Sequence, residues 1–174
     1  MIAQAIPPPP EQIAADCAAP TYAIDHLVCA DAELKDMDRV MRERLATLDP
    51  SFVRNPPPFI EDQISWFRRR SLCAFTPDGR ACTQDAYAER LAVLGELRSD
   101  KRRLRAVECE GSLQGVKNVS INENLAVLTG VEGEVEVVTL LPDRHSSWRS
   151  FVQFSRSGTQ LRFERVDGRK FVCH

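Results

Sequence analysis

The chain has 174 residues, of which 43% are hydrophobic and 28% charged, a balance typical of a soluble globular protein with one domain or two small ones. A formal net charge of -2 provides no overall basic field for nucleic acid, and only 8 glycines argue against a Gly-rich nucleotide loop. No apolar run approaches the roughly 20 residues of a membrane-spanning helix. A nucleic-acid-binding or membrane-spanning role is therefore not expected.

The cysteine count is the most informative part of the composition. Six Cys without a C-x-x-C pair predict three disulfides and an oxidising compartment, whereas six reduced core thiols in a cytosolic protein are the alternative. The start of the chain agrees, because Ala3-Gln4-Ala5 resembles the end of a secretory signal. We expect a periplasmic or secreted protein whose signal peptide precedes residue 1, with a flexible, proline-rich N-terminus over residues 1–13.

Apolar residues follow helical spacing up to about residue 105. Pro20 suits the first turn of a helix that ends at Cys29, and Asp31 is the predicted N-cap of the next helix. The face of that second helix recurs at steps of three and four, through Leu34, Met37, Met41, Leu45 and Leu48.

Two more helices are predicted after the prolines of residues 56–58. The third carries Ile60, Ile64 and Phe67 on one face, with Trp66 and Leu72 beside it. Thr83 is the predicted cap of the fourth, whose apolar face comprises Tyr87, Leu91, Leu94 and Leu97. The basic stretch over residues 98–108 is interpreted as a linker.

From Val116 onward the apolar residues alternate, which predicts short strands. Asp167-Gly168 suggests a type I′ hairpin turn between the last two strands. Val119 and Ile121 alternate with polar residues, and further strands are predicted at residues 125–129, 135–141, 151–154, 161–166 and 170–173, which makes five or six short strands. The sequence therefore predicts an α+β fold, with four helices over residues 14–97 and a small antiparallel sheet or barrel over residues 109–174.

The helical half resembles the LprI-type lysozyme inhibitor family. The resemblance covers about residues 14–97 and depends on three motifs. These are Cys17 with Cys29-Ala-Asp-Ala-Glu-Leu34 and Asp38, Gln63-x-x-Trp66-x-x-x-Arg70-x-x-Cys73, and Cys82 with Tyr87 and Arg90. There are two departures from the family pattern: Asp25 lies four residues before Cys29 where the family has a Glu near an Ile-Cys, and Ser71 follows Arg70 where the family often has Asp.

The β half shows a fainter similarity. Other periplasmic lysozyme inhibitors are small disulfide-linked barrels with a Ser-Gly-x-x-Tyr loop. Ser157-Gly158 matches the beginning of that loop, but Leu161 stands in place of the Tyr.

Six cysteines allow 15 pairings, and we expect sequence neighbours to pair. Cys73 and Cys82 flank a turn between two helices, and Cys109 and Cys173 bracket the β half. Cys17 with Cys29 completes the set. A helix between these two would separate them, so a cross-helix pairing with Cys73 or Cys82 is the alternative.

The loop over residues 143–150 is the candidate partner-binding site. Trp and Arg are frequent at protein–protein hot spots, and this loop contains Arg144, His145, Ser146, Trp148 and Arg149. The alternative for Trp148 is a ring folded back on the sheet. The loop's Asp, His and Ser are too close in sequence to converge as a catalytic triad. His26 and Cys29 do not make a metal site, and no metal or cofactor is expected.

These features and the resemblance imply a binding protein rather than an enzyme. Its expected partner is a lysozyme or another peptidoglycan hydrolase, blocked by occlusion of the active site. Two alternatives are an immunity protein that neutralises one cognate cell-wall-degrading effector, and a secreted effector or hydrolase itself.

Overall fold

The computed structural model describes residues 12–50, 55–99, 102–113, 115–122, 125–140 and 146–174. The helices are α1 (Ala23–Ala30), α2 (Ala32–Leu45), α3 (Gln63–Ser71) and α4 (Gly79–Leu97), with a 3₁₀ turn at Leu72–Phe75. The strands are β1 (Arg105–Ala106), β2 (Asn118–Ile121), β3 (Leu125–Thr129), β4 (Val135–Leu140), β5 (Val152–Ser157), β6 (Gln160–Arg165) and β7 (Lys170–Cys173). The predicted α+β class and the order of helices before strands are confirmed.

Aspartates begin three of the helices. Asp31 caps α2 as predicted, accepting from the backbone N–H groups of Glu33 and Leu34. Asp78 caps α4 by accepting from the Ala81 N–H. The prediction of Thr83 as that cap was wrong, because α4 starts at Gly79 and the buried Thr83 hydroxyl donates to the Gly79 carbonyl within the helix. The expectation of a helix at Pro20 was also wrong, since α1 begins at Ala23.

The buried face of α3 differs from the predicted apolar stripe. Ile60 precedes the helix, which begins at Gln63, and Leu72 follows it with 60% of its surface exposed. The residues of α3 that are buried are Gln63, Trp66, Phe67 and Arg70. Two polar side chains therefore occupy core positions that a pattern based only on apolar residues misses.

The helices enclose an apolar core with Trp66 at its centre. Its ring meets the ring of Tyr87 edge-on, with centroids 5.3 Å apart, and both residues are fully buried, as predicted for core aromatics. Val28, Leu34, Met41 and Leu94 belong to the same core. Each helix contributes to it, which fixes their relative positions.

The β half consists of two antiparallel sheets that contribute to one apolar core. One sheet has the order β1-β2-β3-β4 and the other β5-β6-β7. Residues 107–110 connect them, because the Val107 N–H donates to Lys117 while Glu108 exchanges backbone hydrogen bonds with His174. Alternating residues point inward, and the core includes Val119, Leu128, Val137, Phe154, Leu161, Phe163 and Phe171.

Glycines with positive φ close both hairpins of the second sheet. In the β6–β7 turn only Gly168 has positive φ, at 83°, and its N–H donates to the Arg165 carbonyl. The predicted type I′ turn was therefore wrong, since that turn needs positive φ at Asp167 as well; a type I turn followed by a left-handed glycine replaces it. Gly158, with φ 59°, forms the tight two-residue turn between β5 and β6.

The three disulfides join Cys17–Cys29, Cys73–Cys82 and Cys109–Cys173, with Cα–Cα distances of 5.4, 5.6 and 4.0 Å. Cys17 reaches Cys29 because α1 begins only at Ala23, so the chain before it is not helical. Cys109 and Cys173 lie directly opposite each other on antiparallel backbone. The short distance is typical of a pair flanked, not joined, by backbone hydrogen bonds.

The helical and β halves share an apolar contact. Val93 of α4 packs in one cluster with Val127 and Val138 on the outer face of β3 and β4. Phe59, just before α3, pairs its backbone with Val137 and belongs to the apolar core of the two sheets. The division at residues 98–108, which we keep as a proposal, thus separates two units in direct contact.

Candidate functional site

The residues that carry the LprI resemblance, called here the signature residues, include Asp38, Gln63, Arg70, Tyr87 and Arg90. These five side chains are buried and form two hydrogen-bonded sets. Arg70 and Asp25 are both fully buried and form an ion pair of 2.6 Å. Arg70 also donates to the Tyr87 hydroxyl at 2.8 Å, and that hydroxyl donates to Asp38 Oδ1 at 2.8 Å. Asp25 on α1 therefore supplies the carboxylate for Arg70, which is not followed by an Asp in this chain.

A second buried set links the remaining signature residues. Arg90 Nε donates to Gln63 Oε1 at 2.8 Å, and its Nη1 donates to the Glu61 carbonyl at 2.8 Å. Gln63 Nε2 in turn donates to the Ile13 carbonyl at 2.6 Å. Burial lowers the pKa of Arg90 to about 10. The signature residues thus hold the helices together, so a partner-binding surface must be sought elsewhere.

The predicted binding loop is anchored on α4 by Asp85. Asp85 Oδ2 accepts three hydrogen bonds: from the Ser147 N–H at 2.8 Å, the Ser147 hydroxyl at 2.9 Å and the Ser146 hydroxyl at 3.2 Å. A carboxylate that receives an N–H and two hydroxyls fixes both the path and the orientation of the loop.

Trp148 is the second anchor, and it packs on the helices. The Arg69 guanidinium lies 4.0 Å from the centre of its ring, and the Trp148 Nε1–H donates to Glu89. Its ring packs against the helical core. Arg69 also donates to the Arg149 carbonyl. The ring is thus packed rather than free in solvent, as the alternative expected, and the core that it packs against is that of the helices.

Two carboxylates share the guanidinium beneath Trp148. Arg69 Nη2 lies 2.6 Å from Glu61 and 3.2 Å from Glu89, and both carboxylates are almost completely buried. Burial, followed by repulsion from Glu61, raises the pKa of Glu89, while Arg69 and the Trp148 N–H act in the opposite direction. Charged groups as well as apolar packing therefore hold Trp148 in place.

The anchored loop borders an open cleft of about 950 Å³. The Arg149 side chain is exposed at its edge, and the facing wall is the outer side of β5, β6 and β7. Of the five predicted partner-binding residues, Ser146, Trp148 and Arg149 lie at this cleft, while Arg144 and His145 lie outside the described residues. Their role in binding stays a prediction.

Sequence reasoning missed the residues that position the loop. Asp85 and Glu89 lie four apart on α4, so they share one face of the helix, and Arg69 follows another arginine on α3. Two acids at that spacing predict a polar face. Their partners, Ser147 and Trp148, lie about 60 residues further along the chain, so helix periodicity cannot indicate them.

Within the described residues, no cluster of three or more His, Cys, Asp and Glu side chains is arranged to hold a metal ion. No described helix is long and apolar enough to cross a membrane.

Fold and site together define a small α+β protein in which a loop is attached to disulfide-linked, packed helices. Part of this chain is LprI-like: 81 residues are 35% identical to lipoprotein LprI of two Mycobacterium tuberculosis strains and of Mycobacterium bovis. The match covers 45% of this chain and 39% of those relatives, so the chain spans about two fifths of their length. No family model matches the chain, and no solved structure matches it. The LprI resemblance is therefore confirmed with partial coverage.

Proposed function

We propose that this chain is an extracytoplasmic binding protein that inhibits a lysozyme-type peptidoglycan hydrolase by occluding its active site. The likeness to LprI supports the inhibitor class, and three disulfides are typical of proteins in an oxidising compartment. The proposal gives the chain no catalytic role. Its partner is a protein.

The observation that carries the proposal is the anchored loop. Asp85, Arg69 and Glu89 hold residues 146–149 on the helices, yet the Arg149 side chain remains exposed. A loop that is already ordered loses little conformational entropy on binding. Such a loop favours tight association over the weak binding expected of a flexible one.

The chemistry of the target suits an exposed arginine. Lysozyme-type enzymes cleave glycosidic bonds with two carboxyl groups across a cleft. A guanidinium forms charge-assisted hydrogen bonds to carboxylates, and a folded protein loop presents no glycosidic bond to cleave. Occlusion of the cleft by Arg149 and its neighbours would therefore block the enzyme without turnover.

Inhibition assays on lysozymes of several structural types test this proposal. We expect the purified protein to slow clearing of peptidoglycan by at least one type, and Arg149→Glu to abolish that effect. Arg169→Glu, an exposed arginine on the β6–β7 turn, is the matched control and should inhibit normally. No inhibition and no complex with any type tested would refute the proposal.

An immunity protein is the second candidate, because the LprI match leaves more than half of the chain unaccounted for. Such a protein would bind one cognate cell-wall-degrading effector through surfaces that general lysozymes do not recognise. Capture of a single hydrolase from the producer's own secreted proteins, together with no inhibition of general lysozymes, would favour it. A clearing band from the purified chain alone would contradict both candidates and indicate a hydrolase.

A further inference from the structure

The cleft beside the loop carries two arginines with no carboxylate partner among the described residues. Arg149 lines it on the loop side, and Arg162 of β6 lines it on the sheet side. Both residues are exposed. Arg162 Nε donates only to the neutral side-chain oxygen of Gln160, at 2.7 Å. Two guanidiniums without a carboxylate partner among the described residues therefore border the same open space.

The described side chains that line the cleft carry more positive than negative charge. Glu164 lies 3.4 Å from the Lys170 ammonium, which offsets its charge. Asp85 Oδ2 accepts from the neutral Ser146 and Ser147, so its carboxylate stays charged and can offset one of the two arginines. Arg149, Arg162 and Lys170 thus exceed Asp85 and Glu164 by one positive charge, which favours an anionic ligand.

We propose that this cleft is a binding site for a small carboxylate-bearing ligand, held by Arg149 and Arg162. A volume of about 950 Å³ lies within the range of small-molecule sites. The planar guanidinium donates paired hydrogen bonds that match the geometry of a carboxylate. Gln153 and Ser155 on the outer face of β5 add neutral polar groups for the rest of the ligand.

Two sources present this chemistry: a saccharide with a carboxyl group and a short acidic peptide. The test uses the whole chain, labelled with ¹⁵N, and two matched probe pairs. N-acetylmuramic acid is compared with neutral N-acetylglucosamine, and acetyl-Glu-Glu-amide with acetyl-Gln-Gln-amide. We expect the carboxylate member of at least one pair to shift amide signals of the cleft, and its neutral counterpart to shift none; the responding pair identifies the source.

Substitution of the arginines tests the geometry. Arg149→Ala and Arg162→Ala should each raise the dissociation constant of the responding probe about tenfold, because each variant loses one charge-assisted hydrogen bond. Arg103→Ala removes an exposed arginine outside the cleft and should leave the constant unchanged. Unshifted signals elsewhere in each variant's spectrum show that the fold is retained.

Three results would overturn the proposal: no response to either carboxylate, equal responses to charged and neutral probes, or equal weakening by Arg103→Ala. No hydrolase is present in this assay. Its failure therefore leaves the proposed inhibition untouched, and failure of inhibition leaves this binding site untouched.

Discussion

Individual residues divide into those that build the fold and those that face outward. Trp66 and Tyr87 were predictable as core aromatics from helical spacing, and both are fully buried. The burial of Arg70 was not predictable from hydrophobic pattern, because it depends on a carboxylate from another helix, Asp25, 45 residues earlier. A buried charge requires its partner, and periodicity does not reveal which partner packs against it.

The Arg70–Asp25 pair gives the first prediction. Asp25→Ala should lower the free energy of unfolding by about 3–5 kcal/mol, because it leaves the Arg70 guanidinium buried without its counter-ion. Asp36→Ala, which breaks an exposed pair with Arg39, is the control and should cost far less. Urea unfolding followed by circular dichroism measures both. Equal losses of unfolding free energy in the two variants would show that the buried pair stabilises the fold no more than the exposed one.

Glu89 gives a prediction about pH. Its pKa is raised in the folded state, mainly by burial, so its contribution to stability is fully present below the unfolded Glu pKa, about 4.3, and is lost as pH rises through the folded-state pKa. Glu89→Gln cannot ionise and lacks this loss. We expect the wild type to lose stability relative to Glu89→Gln as pH increases from about 4 to 8.

The difference between these two proteins isolates Glu89. Asp31 and Asp167, whose pKa values are lowered by hydrogen bonds and nearby arginines, titrate alike in both and cancel. Unfolding in urea at several pH values gives the difference directly. A pH-independent difference, or one of opposite sign, would show that Arg69 and Trp148 outweigh burial.

At the scale of elements, the sequence predicted helices and strands better than their boundaries. Asp31 marked a helix start because a local side-chain hydrogen bond decides it. Thr83 was misassigned because Asp78, five residues earlier, caps the helix by accepting from the Ala81 N–H. The loop over residues 143–150 was predicted as the partner-binding site, but the attachment of its residues 146 and 147 to α4 is a tertiary contact that local pattern does not encode.

The disulfides should contribute according to the length of chain that they close. Cys109–Cys173 closes 64 residues, and Cys17–Cys29 closes 12. The chain-entropy relation gives roughly 4 kcal/mol for the longer loop and roughly 3 kcal/mol for the shorter one. Double Cys→Ser variants, unfolded in guanidinium chloride, should follow that order. A larger loss from the Cys17–Cys29 variant would indicate that native contacts outweigh loop entropy.

The anchoring of the loop predicts its exchange behaviour. Asp85→Ala removes the acceptor of the Ser147 N–H, so hydrogen exchange at that amide should become markedly faster. The hairpin at Ser157–Gln160 makes no contact with Asp85 among the described hydrogen bonds, and its exchange should not change. Asp36→Ala serves as the control substitution. Unchanged exchange at Ser147 would mean that the contacts of Trp148 and of the Arg149 carbonyl hold the loop without Asp85.

Across the whole molecule, composition and cysteine spacing indicated the class, and the halves proved to be in contact. Val93 and Phe59 join the helical part to the sheets. The continuous apolar run of β3 is typical of a strand covered on both faces, but the sequence does not show which element covers the second face. The LprI motifs identified the helical half through residues that are internal. These motifs therefore indicate family resemblance and not a binding surface. The proposed contact surface consists of the loop and the cleft instead.

Competition for the active site tests the account most directly. For a hydrolase that the protein inhibits, the dissociation constant of the complex is measured with and without a saturating chitooligosaccharide that occupies the hydrolase cleft. Occlusion predicts that the apparent dissociation constant rises in proportion to the concentration of the oligosaccharide. An unchanged constant would contradict occlusion and place the contact outside the hydrolase active site.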